Sequence, residues 1–406
     1  MTMKPSHSES KVAFAPFSTS LISDPFPQYH ALLAEEPISW NTMFQGWVLT
    51  RMDDVRTVLA DGSFEAISTA AILVEIARRT NRDYSTLTDF LDAVLFFVNG
   101  PTHLRDRRTL VKLMNRQPLS QLRSHLQGYA QELAASLHGQ DSYDVVKAYA
   151  EPFPQLVMAH IVGLPLEDVP VLSELLADLT LVFDPASLST LDSINEKAKT
   201  AFALLIDRIA AAPPTSGLRV IYDATEGDDE ERRLRSAAAT ALFTLRVGAE
   251  TTIGLLGLLI REMVDQPGLR NTITGDREAS ARLISEALRL QGSVQRAGRV
   301  ATERREIGGT TIQPGERVLL LMGAANRDPS VFAEPDALKL DQDRAEDVAF
   351  GAGAHFCLGA SLAKLEAEIT LSTFSALPPI VRAGDDIWYT GRTIRRLASL
   401  PVRVAQ

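Results

Sequence analysis

Cysteine is almost missing from this chain: Cys357 is the only one in 406 residues. A single thiol excludes an internal disulfide framework and fits a reducing, cytoplasmic setting. An excess of positive charge is missing too. Lys and Arg number 41 against 51 Asp and Glu, for a formal net charge of −10, so nucleic acid is excluded as a bulk electrostatic partner, because neutralising phosphates takes a basic surface. No apolar run reaches the length of about 18 residues that a membrane span needs. The longest candidate, AAATALFTLRVG, is interrupted by Arg246, and no membrane association is expected. The opening stretch MTMKPSHSESKVAFAPFSTS lacks an apolar core followed by a small-residue cleavage site; it reads as a flexible lead-in over residues 1–20, not as a signal peptide.

What is present is helical periodicity over a large apolar fraction, 45% of the chain. SDPFPQYHALLAEEP begins with Ser23-Asp24-Pro25 and spaces its apolar residues at helical intervals; GWVLTR is strand-like; DDVRTVLAD, AAILVEIARR and TLTDFLDAVLFFV read as further helices. The longest predicted helix runs from about Asp229 to Asp265, with acidic residues at its start, where the helix dipole favours them, and apolar residues all round its middle. From Arg299 the texture changes to alternation punctuated by Gly308-Gly309 and Pro314-Gly315 turns, which predicts β-structure. The expected fold is mainly α with a smaller β-rich lobe, as a single domain over residues 21–406.

The solitary cysteine stands in FGAGAHFCLG, just ahead of a predicted helix, ASLAKLEAEI. A lone thiol can be a buried filler, a nucleophile, half of an intermolecular disulfide or one ligand to a metal held mostly by something else. Two other stretches narrow the choice. Glu286-Ala-Leu-Arg289 puts an acid and a base on one helix face at i,i+3. Gly248-Ala249-Glu250-Thr251-Thr252 puts polar groups in the middle of an otherwise apolar helix, where an unpaired buried charge costs several kcal/mol, roughly.

Together these three stretches resemble those of a bacterial cytochrome P-450, a haem–thiolate monooxygenase, and the resemblance spans nearly the whole chain, from DPFPQYHALL to RRLASLPVRV. Phe350, Gly353, His355, Cys357 and Gly359 match the family's cysteine loop. The resemblance implies that Cys357 is the proximal ligand of the iron of haem b, that the glycines let the loop approach the porphyrin, and that His355 reaches a propionate. His103 with Arg107, and Arg299, match the family's other propionate cations. Glu286 and Arg289 match its structural Glu–Arg pair. Glu250 and Thr251 match its acid–alcohol pair, which delivers protons for dioxygen cleavage, and Gly248 its close approach of helix to haem. Electrons would come from NAD(P)H through redox partners, a ferredoxin and its reductase, with Arg105, Arg108, Lys112 and Lys364 as a basic docking patch.

The chain departs from the pattern in places. The arginine that completes the Glu–Arg network falls on Gln342 or, two residues on, Arg344. Asp347 stands where a further histidine is usual, and Ser293-Val294 replaces the usual Pro-Val. Arg246, one turn before Glu250, occupies a position where relatives carry a small apolar residue facing substrate. It either pairs with Glu250 at i,i+4 or anchors a substrate carboxylate, and the second role is the expected one. Phe96, Phe97, Phe243, Val247, Val294, Ala297 and Ile394 are the other expected pocket residues.

The expected activity is oxidation, by hydroxylation, of an apolar small molecule, including one that bears a carboxylate, in secondary metabolism. Two alternatives stand beside it: ring coupling, desaturation, nitration or peroxide-driven oxidation on the same fold, and a non-enzymatic haem-binding or sensor protein.

Overall fold

A helix of 36 residues, Glu230–Asp265, forms where the sequence places it. Asp229 caps it by accepting from the backbone N–H of Arg232, and Glu230 and Glu231 lie in its first turn, against the positive end of the dipole. It is long and apolar enough to cross a membrane, but 89% of its most apolar stretch is buried, which marks it as a core helix. The computed structural model describes residues 10–184, 187–227, 229–341 and 347–405. The chain forms two compact units: Met1–Ile67 with Ser285–Cys357, and Ser68–Ile284 with Leu358–Gln406.

The first unit is built on a five-stranded sheet in the order Ile38–Asn41, Gly46–Leu49, Arg317–Leu320, Ala297–Ala301, Phe64–Ala66. The first two strands form an antiparallel hairpin; Gly46–Leu49 then runs parallel to Arg317–Leu320, and the remaining pairings are antiparallel. The sheet's apolar side chains, among them Leu49, Phe64, Val318 and Leu320, pack with Met52, Val55, Val58 and Leu59 of the helix Met52–Ala60. Val294 and Ala297, expected in a substrate pocket, pack partly buried against this core. Residues 10–20 touch this unit at described points. Lys11 N donates to Glu36 Oε2 at 2.7 Å, and Phe14 is buried. Residues 1–9 lie outside the described residues.

The second unit is mostly helical, with Pro152–Val162, Leu188–Ala210, Ser85–Ala93 and Ala360–Ala376 packed on the long helix. Two small antiparallel sheets complete it. Pro401–Val404 sits between Ser142–Asp144 and Ile380–Arg382, and Ile387–Trp388 pairs with Leu397–Ser399. Ile394 is buried just before this last strand.

Candidate active site

The cysteine loop is shaped by two left-handed glycines. Gly351 and Gly353 have φ of 70° and 66°, a region that side chains resist. A Cβ on Gly353 would also stand 2.6 Å from the carbonyl oxygen of Leu59, so only glycine lets the loop lie on the helix Met52–Ala60. Cys357 N donates to Phe350 O at 3.0 Å, which closes the loop on itself. Its thiol is partly exposed, not core filler. Gly359 caps the helix Ala360–Ala376.

Upstream in the same unit, Arg289 and Glu286 are 1% and 2% exposed. Arg289 Nε meets Glu286 Oε1 at 2.8 Å and its Nη2 meets Oε2 at 3.0 Å. The rest of the guanidinium goes to backbone: Nη1 to Asn326 O and Pro335 O at 2.9 and 2.6 Å, Nη2 to Ala337 O at 3.1 Å. Glu286 Oε2 also accepts from Lys339 N at 3.0 Å. Gln342 and Arg344, the two positions for a third member, lie outside the described residues. Asp347 accepts from Ala349 N at 2.8 Å.

Does this chain fit a haem? Among the described residues no group of three His, Cys, Asp or Glu side chains could hold a bare metal ion, so a metal at Cys357 must bring its other ligands with it. Arg299 is 5% exposed, and its described bond is to Gly298 O at 2.8 Å, with no carboxylate beside it. Burial pushes its pKa down to about 10. A cation desolvated in this way calls for an anion, and a propionate supplies one. His103 is buried four residues before Arg107 on the helix Gly100–Met114, and burial and that arginine hold it below the usual histidine range. Arg107 itself has no carboxylate partner among the described residues and is partly exposed. Each unit by itself has residues that fit an iron porphyrin with carboxylates: Cys357 and Arg299 in the first, His103 and Arg107 in the second.

On the long helix, Thr240, Phe243, Gly248 and Thr251 are partly exposed among buried neighbours. At about 100° per residue they fall on one stripe. Val247 falls within it, at 9% exposure. The space a side chain on Gly248 would need is taken by Met158, whose Cε lies 2.8 Å from the Cβ position. Beside the stripe stands an aromatic wall. Phe183 stacks on Phe90 with centroids 6.0 Å apart and meets Phe96 and Phe97 edge-on at 5.7 and 5.4 Å; Phe96 in turn meets Phe243 at 6.4 Å. Phe96, Phe97 and Phe243 were legible in the sequence. Phe183 was not, because it comes from the short helical segment Leu179–Phe183, which carries no motif.

Glu250 and Arg246 lie further round the helix, past Phe243, and are 0% and 3% exposed. Arg246 Nη2 forms an ion pair with Glu250 Oε2 and donates to Ala177 O at 2.8 Å. The expectation that Arg246 turns to substrate is therefore corrected: its position off the open stripe directs the guanidinium to the acid one turn on. A second arginine, missed in the sequence, holds the other oxygen. Arg396 Nε donates to Glu250 Oε1 at 2.5 Å, and the guanidinium stacks over the Tyr389 ring at 4.0 Å. Asp184 ties down the loop that carries it, accepting from Arg392 N at 2.6 Å and Thr393 Oγ1 at 2.8 Å. Of the basic patch, Arg105 is spent on Asp106 and Glu226, while Arg108 and Lys112 stand exposed one turn apart.

Comparison with known proteins decides the class. The sequence profile described as Cytochrome P450 matches residues 280–374. Cytochrome P450 140 of Mycobacterium tuberculosis is 30% identical over 407 residues, covering 94% of this chain and 90% of that protein. This chain belongs to the cytochrome P450 family. The biotin biosynthesis cytochrome P450 of Bacillus subtilis is 28% identical over 386 residues, covering 93% of this chain and 95% of that protein. The crystal structure of P450BioI in complex with hexadec-9Z-enoic acid ligated acyl carrier protein matches with a TM-score of 0.84 at 27% identity, covering 95% of this chain and 99% of that one. As a P450 the protein is an oxidoreductase of the monooxygenase type, using haem b, dioxygen and electrons passed from NAD(P)H by redox partners.

Proposed function

We propose that this P450 hydroxylates an apolar small molecule that carries a carboxylate, in secondary metabolism, with electrons supplied by a ferredoxin and its reductase. The observation that carries the substrate reading is the aromatic wall. Phe96, Phe97, Phe183 and Phe243 keep part of their surface open, and an apolar ligand would take that surface out of water at about 25 cal/mol per Å². The acyl chain in the P450BioI complex named above is apolar but is joined to its carrier through its carboxyl, and by analogy it supports the apolar part of the reading.

Bound haem supplies the redox chemistry that activates dioxygen and places one of its oxygen atoms in the substrate. The chain's own groups have separable tasks. Cys357 Sγ would ligate the haem iron, in a loop framed by Phe350, Gly353 and Gly359. Arg299, His103, Arg107 and His355 are the cations that would hold its carboxylates. Thr251, on the open stripe, would be the proton donor, and Glu250, one residue before it, its acid partner. Arg108, Lys112 and Lys364, all exposed, would form the ferredoxin contact with Arg105. Phe183→Ala should weaken binding of an apolar ligand about five- to tenfold, read as the iron spin-state shift. Reconstitution with ferredoxin, reductase and NAD(P)H under isotope-labelled dioxygen should give a product carrying one labelled oxygen. Turnover with peroxide alone, or an unlabelled product, would contradict the proposal.

A further inference from the structure

The cluster around Glu250 holds one cation too many. Arg246 and Arg396 are each 3% exposed, and both pair with the single carboxylate of Glu250. Among the described residues neither arginine meets a second acid. Arg246 donates to Ala177 O, and Arg396 Nη1 donates to Leu397 O at 3.2 Å. Tyr389, the remaining polar neighbour, is held neutral: burial raises its phenol above the usual range, and its hydroxyl lies 3.4 Å from both Thr180 Oγ1 and Ala177 O. The neighbouring Arg395 is directed elsewhere, over the Trp388 ring at 4.2 Å.

The count of donors points the same way as the count of charges. Arg246 Nε is buried without an acceptor. The Nε and Nη1 of Arg396 are used, which leaves its Nη2 without a protein acceptor among the described residues. A buried guanidinium with unfilled donors and no counter-charge of its own costs several kcal/mol, roughly, unless an anion joins it. A carboxylate is the planar two-oxygen acceptor that a guanidinium edge matches.

The cluster also adjoins the apolar wall. Asp184, next to Phe183, anchors the loop bearing Arg396, and Phe243 lies three residues before Arg246 on the same helix. We propose that Arg396 is the anchor for the substrate's carboxylate, with Arg246 neutralising Glu250 so that Arg396 keeps its charge for the ligand. This rests on the apolar-acid reading of the substrate and assigns it a different arginine from the one the sequence suggests. The series then alternates in sign: Arg246, Glu250, Arg396, substrate carboxylate.

The test compares decanoic and hexadecanoic acids with their methyl esters on the haem-loaded protein, by isothermal titration calorimetry and by the spin-state shift. Arg396→Leu should weaken the acids roughly tenfold or more and leave the esters within about twofold. Arg396→Lys should restore part of the difference. Glu250→Gln, which removes the competing carboxylate, should tighten the acids and not the esters. Acids and esters that weaken together in Arg396→Leu, or acids that weaken in Glu250→Gln, overturn the anchor. A wild type that binds neither acid nor ester overturns the apolar-acid reading beneath it as well.

Discussion

Arg289 shows what one buried side chain holds together. Its five donors are spread over Glu286 and three backbone carbonyls, all in the segment that runs on to the cysteine loop. Removing one partner of a buried ion pair strands the other and typically costs about 3–5 kcal/mol. Arg289→Leu should lose that much in denaturant unfolding, and the double variant with Glu286→Leu should lose clearly less than the sum of the two singles. Additive losses would show that the pair is not coupled. The pair was legible from its i,i+3 spacing. Its carbonyl acceptors at 326, 335 and 337 were not, since a backbone oxygen has no residue signature. For Arg246 the local spacing allowed two outcomes, and the choice between them was made by Ala177 and Arg396, residues distant in sequence.

At the scale of elements, the helices Leu119–Ala135 and Pro152–Val162 meet through a histidine pair that the chemistry does not use. The rings of His125 and His160 lie 4.6 Å apart, His160 Nδ1 shares a hydrogen bond of 3.0 Å with Tyr129 Oη, and its Nε2 lies 3.3 Å from Gln117 Oε1. Burial first, then His125 and Arg116, hold His160 below the usual histidine range. A depressed folded pKa means that the unfolded chain takes up the proton first. Stability is therefore complete above an unfolded pKa of about 6.5 and is lost as pH falls through the folded value. Melting temperature should drop by about a few degrees between neutral pH and pH near 5, and His160→Gln should flatten that slope. An unchanged slope in the variant would remove His160 as its source. Helices were the most legible elements here because a period of 3.6 repeats many times over 36 residues. The short segments Leu95–Phe97 and Leu179–Phe183, which carry Phe96, Phe97 and Phe183 of the aromatic wall, are too brief to show any period.

Over the whole molecule, the β-structure visible after Arg299 is only part of a sheet. Its other strands come from Ile38–Asn41, Gly46–Leu49 and Phe64–Ala66, more than two hundred residues earlier in the chain. Alternation marks a strand but does not name its partner, so the joining of the two chain segments was not readable from texture. The cysteine loop was readable because five positions carry its geometry, and the left-handed glycines at 351 and 353 give the physical reason. The central claim is that Cys357, solitary in the chain, is the axial ligand of a haem iron. The absorption spectrum of the reduced, carbon-monoxide-bound protein tests it most directly, alongside Cys357→Ser at matched haem content. The account predicts the red-shifted Soret band of thiolate ligation in the native protein and its loss in the variant; the same spectrum from both proteins would contradict it.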